Sequence, residues 1–151
     1  MFDDVQDLYQ ETILDHCKNP RHFMEMKDAT CSAQGHNPLC GDQLKLFLRV
    51  DEGIIREVSF VGSGCCISKA SASLLTETVV GRTTEEALRI FDAVHRMITT
   101  GKPDPSLGRL VVLAGVSKYP TRVKCAMLAW HALAAAIKGQ TTQVTTELDE
   151  K

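Results

Sequence analysis

Leu44, Leu46, Leu48 and Val50 alternate with Gln43, Lys45 and Arg49, and no other stretch of the chain restricts its fold as much. Successive side chains of a strand point to opposite faces, so this period of two marks a strand with one buried face. Asp51-Glu52-Gly53 then supplies turn residues, and Ile54 to Val61 runs back with Val58 and Phe60 on one side. The pair predicts a β-hairpin. Ala29 to His36 predicts a shorter strand, ended by Gly35 and Pro38, which makes a small antiparallel sheet with a polar second face.

The rest of the pattern is helical. From Asp4 to Asn19 the apolar residues Val5, Leu8, Tyr9, Ile13 and Leu14 recur at helical spacing, and Asn19-Pro20 ends the run. A second helix begins at Cys65-Cys66 and stops at Gly81. A third is capped by Thr83 or Thr84, with Leu88, Phe91, Val94 and Ile98 as its stripe up to Gly101. Leu107 to Val116 reads as a short buried helix or turn. Pro120 to Gly139 predicts a long central helix with Val123, Met127, Trp130, Leu133 and Ile137 facing the core. With 151 residues, 44% of them hydrophobic, the chain predicts one domain over 1–140 and a polar tail over 141–151.

Charge narrows the function. Seventeen Lys and Arg stand against nineteen Asp and Glu, with no basic run, so no nucleic-acid partner is expected. Met1-Phe2-Asp3-Asp4 is acidic where a signal peptide is basic, and no run of about 18 apolar residues occurs. The expectation is a cytoplasmic protein that makes no membrane contact. In that compartment six cysteines point to metal or sulfur chemistry rather than to a disulfide framework.

Asn37-Pro38-Leu39-Cys40-Gly41-Asp42 places a thiol and a carboxylate one glycine apart, half of a metal site. Cys65 follows Gly62-Ser63-Gly64 at a helix start, where unsatisfied N–H groups favour a thiolate, and Cys125 lies early in the long helix. One carboxylate and three thiols complete a tetrahedron. His16 reads as a helix-terminal histidine that suits the dipole, and Cys17 and Cys31 as packing residues. His95 reads as a surface or satisfied histidine. The glycines before Cys65 lack the Gly-Lys-Ser/Thr of a phosphate loop.

Leu8-Tyr9-Gln10-Glu11, Ile13-Leu14-Asp15-His16, Asn37 to Asp42, Gly62 to Ser68, Ala70 to Ser73, and Gly115 to Ala126 together resemble the U-type iron-sulfur assembly proteins, SufU branch. The resemblance runs from the first helix to Gly139. It implies an α+β fold, a three-stranded antiparallel sheet packed with about five helices, and a zinc site made by Cys40, Asp42, Cys65 and Cys125. It also implies a protein that accepts persulfide sulfur from a SufS-type cysteine desulfurase and passes it to downstream Suf cluster-assembly proteins. The scaffold branch has a histidine immediately before the third cysteine and a shorter connection between the second and third. Lys124 and the long Arg82 to Gly115 connection both favour the SufU branch.

Four protein ligands leave no place for a hydrolytic water, and the Pro-Cys-x-x-Cys deaminase signature is absent. A scaffold for a transient [2Fe-2S] cluster and a structural zinc module are the rival readings. Among the thiols, Cys40 is the expected sulfur acceptor, because it lies on a loop beside Gly41 while Cys65 and Cys125 are held by helices. Cys66 is placed to compete as a ligand or to resolve a persulfide. Arg122 and Lys124 are poorly placed for the helix dipole and are read as docking residues at the site mouth.

Overall fold

The structure is a computed structural model that describes residues 11–38, 41–139 and 144–145. Strands β1 (Cys31–Asn37), β2 (Asp42–Asp51) and β3 (Ile54–Ser63) pair antiparallel in sequence order. A two-residue strand β4 (Val144–Thr145) adds parallel to β1, opposite Gly35 and His36, so the sheet order is β3-β2-β1-β4. The three expected strands are present. The alternation of β2 turns Leu44, Leu46 and Leu48 inward, and Val58 and Phe60 of β3 meet them as the buried cross-strand partners Leu48↔Val58 and Leu46↔Phe60. The second face is less polar than expected, since Phe47 and its partner Ser59 are also buried, and the Lys45 ammonium covers the Phe47 ring.

Four α-helices are present among the described residues, rather than about five: α1 (Glu11–Lys18), α2 (Cys66–Val79), α3 (Thr84–Thr100) and α4 (Pro120–Ile137); α2 and α4 pack on the sheet, α1 packs against α2, and α3 packs against α4. The stretch expected to be a short buried helix or turn, Leu107 to Val116, lies within Pro105–Lys118, which forms 3₁₀ turns. They are interrupted at Gly108, whose φ of 58° and ψ of −125° break the helical ladder. The predicted first helix is seen as α1, and its portion before residue 11, with Val5, Leu8 and Tyr9, lies outside the described residues. Helix α3 begins with a capping box, Thr83 Oγ1 accepting from Glu86 N while Glu86 Oε1 accepts from Thr83 N.

Helix α4 is the centre of the core. Met127, Leu128, Trp130 and Leu133 have no exposed surface, and burial stabilises each such side chain by about 1.5–3 kcal/mol. Its polar contact to α2 is a buried relay: Trp130 Nε1 donates to Ser71 Oγ at 3.1 Å, and Ser71 Oγ donates to Ala126 O at 2.6 Å. The small residues Ala70, Ser71, Ala72 and Ser73 on α2 allow this approach. At the other side of α2, buried His16 of α1 meets Ser73 Oγ through Nδ1 at 2.7 Å. Burial, reinforced by the charge of Arg21, holds the His16 pKa below its ordinary value. That differs from a charged histidine at a helix end, because α1 turns its last turn into the core. No helix among the described residues is long and apolar enough to cross a membrane.

Candidate metal centre

Three element ends converge at one corner of the sheet. Asp42 opens β2, Cys65 is the N-cap of α2, and Cys125 lies in the second turn of α4. Their ligand atoms lie within 4.8 Å of one another, close to the ~3.8 Å edge of a tetrahedron built on zinc–sulfur bonds of about 2.3 Å. Asp42 and Cys125 have no exposed surface, whereas Cys65 is half-buried.

The backbone of α2 fixes two of these groups together. Asp42 Oδ1 accepts the Cys65 N–H at 2.8 Å, and Asp42 Oδ2 lies 3.8 Å from Cys65 Sγ. Such an approach requires Gly64: a Cβ there would sit 2.5 Å from Asp42 Oδ1 and 2.9 Å from its Cγ. Cys65 Sγ accepts the Ser68 N–H at 3.4 Å, the N-cap bond that satisfies a helix donor. The Cys65 thiol is brought down to about 6 from 9.0, first by a hydrogen bond with Cys125 and also by the Ser68 N–H and the charge of Arg122. Desolvation and the nearby Asp42 carboxylate oppose that change. Cys65 is therefore a thiolate at neutral pH.

Asn37, at the end of β1 and paired in register with Asp42, donates through Nδ2 to Cys125 Sγ at 3.5 Å. Residues 38–41 join these two strand ends, and Gly41 at φ 74° donates its N–H back to Asn37 O at 2.8 Å. Cys40, the fourth expected ligand, lies outside the described residues. A buried carboxylate beside two thiols, one of them ionised, is a donor set suited to zinc and to iron-sulfur clusters.

The other residues singled out in the sequence fall outside this ligand group. Cys31 opens β1 at the end remote from Asn37, about 20 Å away at the rise of an extended strand, and is half-buried as a packing residue. His95 stacks on Phe91 and meets His131 edge-on, in a cluster with ring centroids 5.4–6.3 Å apart. Arg122 and Lys124 lie half-buried in the first turns of α4. Cys17, read as packing, instead has a partner: it forms a disulfide with Cys66, with Cα atoms 5.1 Å apart. No helical periodicity signals that pair, since 49 residues separate the two cysteines.

Comparison with known proteins gives the same fold. The family described as "NifU-like N terminal domain" matches residues 8–146. A Streptococcus pyogenes protein named "Iron-sulfur cluster assembly scaffold protein IscU" is 42% identical over 134 residues, 87% of this chain and 83% of the relative. The Bacillus subtilis "Zinc-dependent sulfurtransferase SufU" is 41% identical over 128 residues, 83% of this chain and 86% of the relative. Among solved structures, a putative iron-sulfur cluster assembly scaffold protein for the SUF system from Fervidobacterium islandicum superposes with a TM-score of 0.82 at 33% identity, covering 86% of this chain and 96% of that one.

Proposed function

The chain belongs to the NifU-like N-terminal domain family, iron-sulfur cluster assembly proteins of the IscU/SufU type, and from that premise we propose that it is a zinc-dependent persulfide acceptor for a SufS-type cysteine desulfurase. The observation that carries this reading is the meeting of Asp42, Cys65 and Cys125, with Cys65 held as a thiolate in a half-buried corner. The residues that would hold zinc are Asp42, Cys65 and Cys125 with Cys40. When bound, zinc keeps its thiolate ligands ionised and protects them from oxidation.

The division of labour follows from how each thiol is anchored. Cys65 is tied into the N-cap of α2 and Cys125 into the core-facing side of α4, so neither moves without disturbing a helix. Cys40 precedes Gly41 in the link between two strands and is the proposed acceptor. Its thiol attacks the outer sulfur of the desulfurase persulfide, so that Cys40–SH and enzyme–S–SH become Cys40–S–SH and enzyme–SH. Arg122 and Lys124 flank Cys125 and form the proposed docking edge. Downstream Suf cluster-assembly proteins are the proposed recipients, in the cytoplasm.

The metal-loaded protein, mixed with desulfurase and cysteine, alkylated without reductant and mapped by peptide mass spectrometry, is expected to carry one extra sulfur on Cys40. Extra sulfur on Cys125 or Cys65 with Cys40 unmodified would reject the assignment. The scaffold name of the 42% identical relative favours a second reading, assembly of a transient [2Fe-2S] cluster on the same thiols. Purification without added metal separates the two: zinc with no visible sulfide-to-iron absorbance argues against a resident cluster.

A further inference from the structure

We propose that Cys17 and Cys66 are a dithiol that reduces persulfide sulfur to sulfide, an activity carried by no metal ligand, which depends on the function proposed above only for the source of its sulfur. The pair is bonded, and its Cα separation of 5.1 Å lies within the range of about 4.4–6.8 Å that a bridge requires. Both residues are half-buried, so a small persulfide can reach them. Cys66 is the first residue of α2, bonded through the peptide to Cys65, and therefore next to the corner where sulfur arrives.

What holds the two thiols together does not depend on the bond between them. Beside Cys17, buried His16 meets Ser73 Oγ at 2.7 Å, and Arg21 donates its backbone N–H to the same oxygen at 2.9 Å. The Arg21 guanidinium in turn donates to Asp15 at 2.6 Å. These contacts pin the last turn of α1 and the residues after it onto α2. In the reduced protein the two sulfurs therefore remain neighbours, which is the requirement for fast intramolecular exchange.

The chemistry balances with no further reagent. Cys66–SH takes the outer sulfur of a donor persulfide: Cys66–SH and R–S–SH give Cys66–S–SH and R–SH. Cys17–SH then attacks the Cys66 sulfur and expels hydrogen sulfide, leaving Cys17–S–S–Cys66. Sulfane sulfur gains the two electrons that the dithiol loses. An external dithiol restores the pair.

The test uses the full chain, reduced, desalted without oxygen and given one equivalent of glutathione persulfide. Sulfide is measured colorimetrically, and the Cys17–Cys66 bridge by peptide mass spectrometry after alkylation. One sulfide per bridge is expected. Cys17→Ser is expected to release sulfide at least about tenfold more slowly and to retain an extra sulfur on Cys66, as resolution by the second thiol is lost. Cys17→Ala, with its fold checked by circular dichroism, should do the same. Sulfide release in either variant equal to that of the parent would overturn the proposal. A parallel sample with desulfurase and cysteine separates the two readings. A chain that takes no sulfur from the desulfurase, yet converts glutathione persulfide one for one, overturns the sulfur-acceptor reading and supports this one. The reverse result overturns this one alone.

Discussion

Asp42 holds Cys65 at both ends of the cysteine, one carboxylate oxygen accepting its backbone N–H at 2.8 Å and the other lying 3.8 Å from its sulfur. A single side chain thus acts as a lid on the first turn of α2 and as a member of the candidate metal centre. The two roles separate by substitution. Asp42→Asn keeps an oxygen for the N–H and is expected to stay folded while zinc affinity falls by at least about tenfold. Asp42→Ala removes the acceptor of the half-buried Cys65 N–H and should lose about 1 kcal/mol of stability in addition. Chelator competition and urea unfolding of the two variants side by side check this.

Cys65 titrates early in the metal-free protein. Its folded value of about 6 lies below the ordinary 9.0, so alkylation by iodoacetamide is expected to reach half its plateau near pH 6. The sign for stability follows from the same depression. The contribution of Cys65 to the metal-free fold is complete above the unfolded thiol's value and is lost as pH falls through about 6. Cys125→Ser replaces the residue that lowers this pKa most, and is expected to move the alkylation midpoint upward.

Gly64→Ala puts a methyl group against the Asp42 carboxylate. The expected loss is about 1–3 kcal/mol, the usual cost of overpacking, with a matching fall in zinc affinity. A thermal melt with and without zinc reads both. An unchanged metal-dependent shift in melting temperature would show that the carboxylate can move aside.

Cysteines near and far from the corner should part company in metal content. Cys125→Ser is expected to lower bound zinc substantially, whereas Cys31→Ser, at the remote end of β1, should leave it unchanged. Elemental analysis of both purified variants decides, and equal zinc in the two contradicts the assigned ligands.

Docking is tested through charge. Arg122→Ala and Lys124→Ala are expected to reduce desulfurase activation, more at low salt than at high salt, because a rim charge acts through screened attraction. Normal activation by both variants at physiological salt rejects the docking edge.

Local rules carried the reading of the chain a long way, and long-range contacts limited it. The period of two in β2 and the turn at Asp51-Glu52-Gly53 specify the hairpin, and the Thr83–Glu86 capping box marks the start of α3. Asp42, Cys65 and Cys125 were legible because each stands at an element boundary in an unusual local composition. Asn37 carries no local sign of its role, since its donation to Cys125 spans 88 residues. The Cys17–Cys66 bridge likewise joins residues whose own neighbours show no signal. The apolar run from Leu107 to Val116 looks helical by composition, yet Gly108 and the flanking prolines leave only 3₁₀ turns. Phe47 is buried on the face expected to be polar, with the Lys45 ammonium over its ring.

The corner where β2, α2 and α4 begin has a bearing on when in its life the protein can hold a metal. Asp42 and Cys65 are 23 residues apart, and Cys125 arrives on the last long helix. A nascent chain emerging from the ribosome therefore presents the carboxylate and two of the proposed thiol ligands, Cys40 and Cys65, well before Cys125 exists. The proposed four-ligand set is complete only when α4 has docked, so a fully ligated metal would mark a finished fold. In hydrogen exchange, zinc should slow amides at three places distant in sequence, the Asn37–Asp42 turn and the first turns of α2 and α4, as a single cooperative unit.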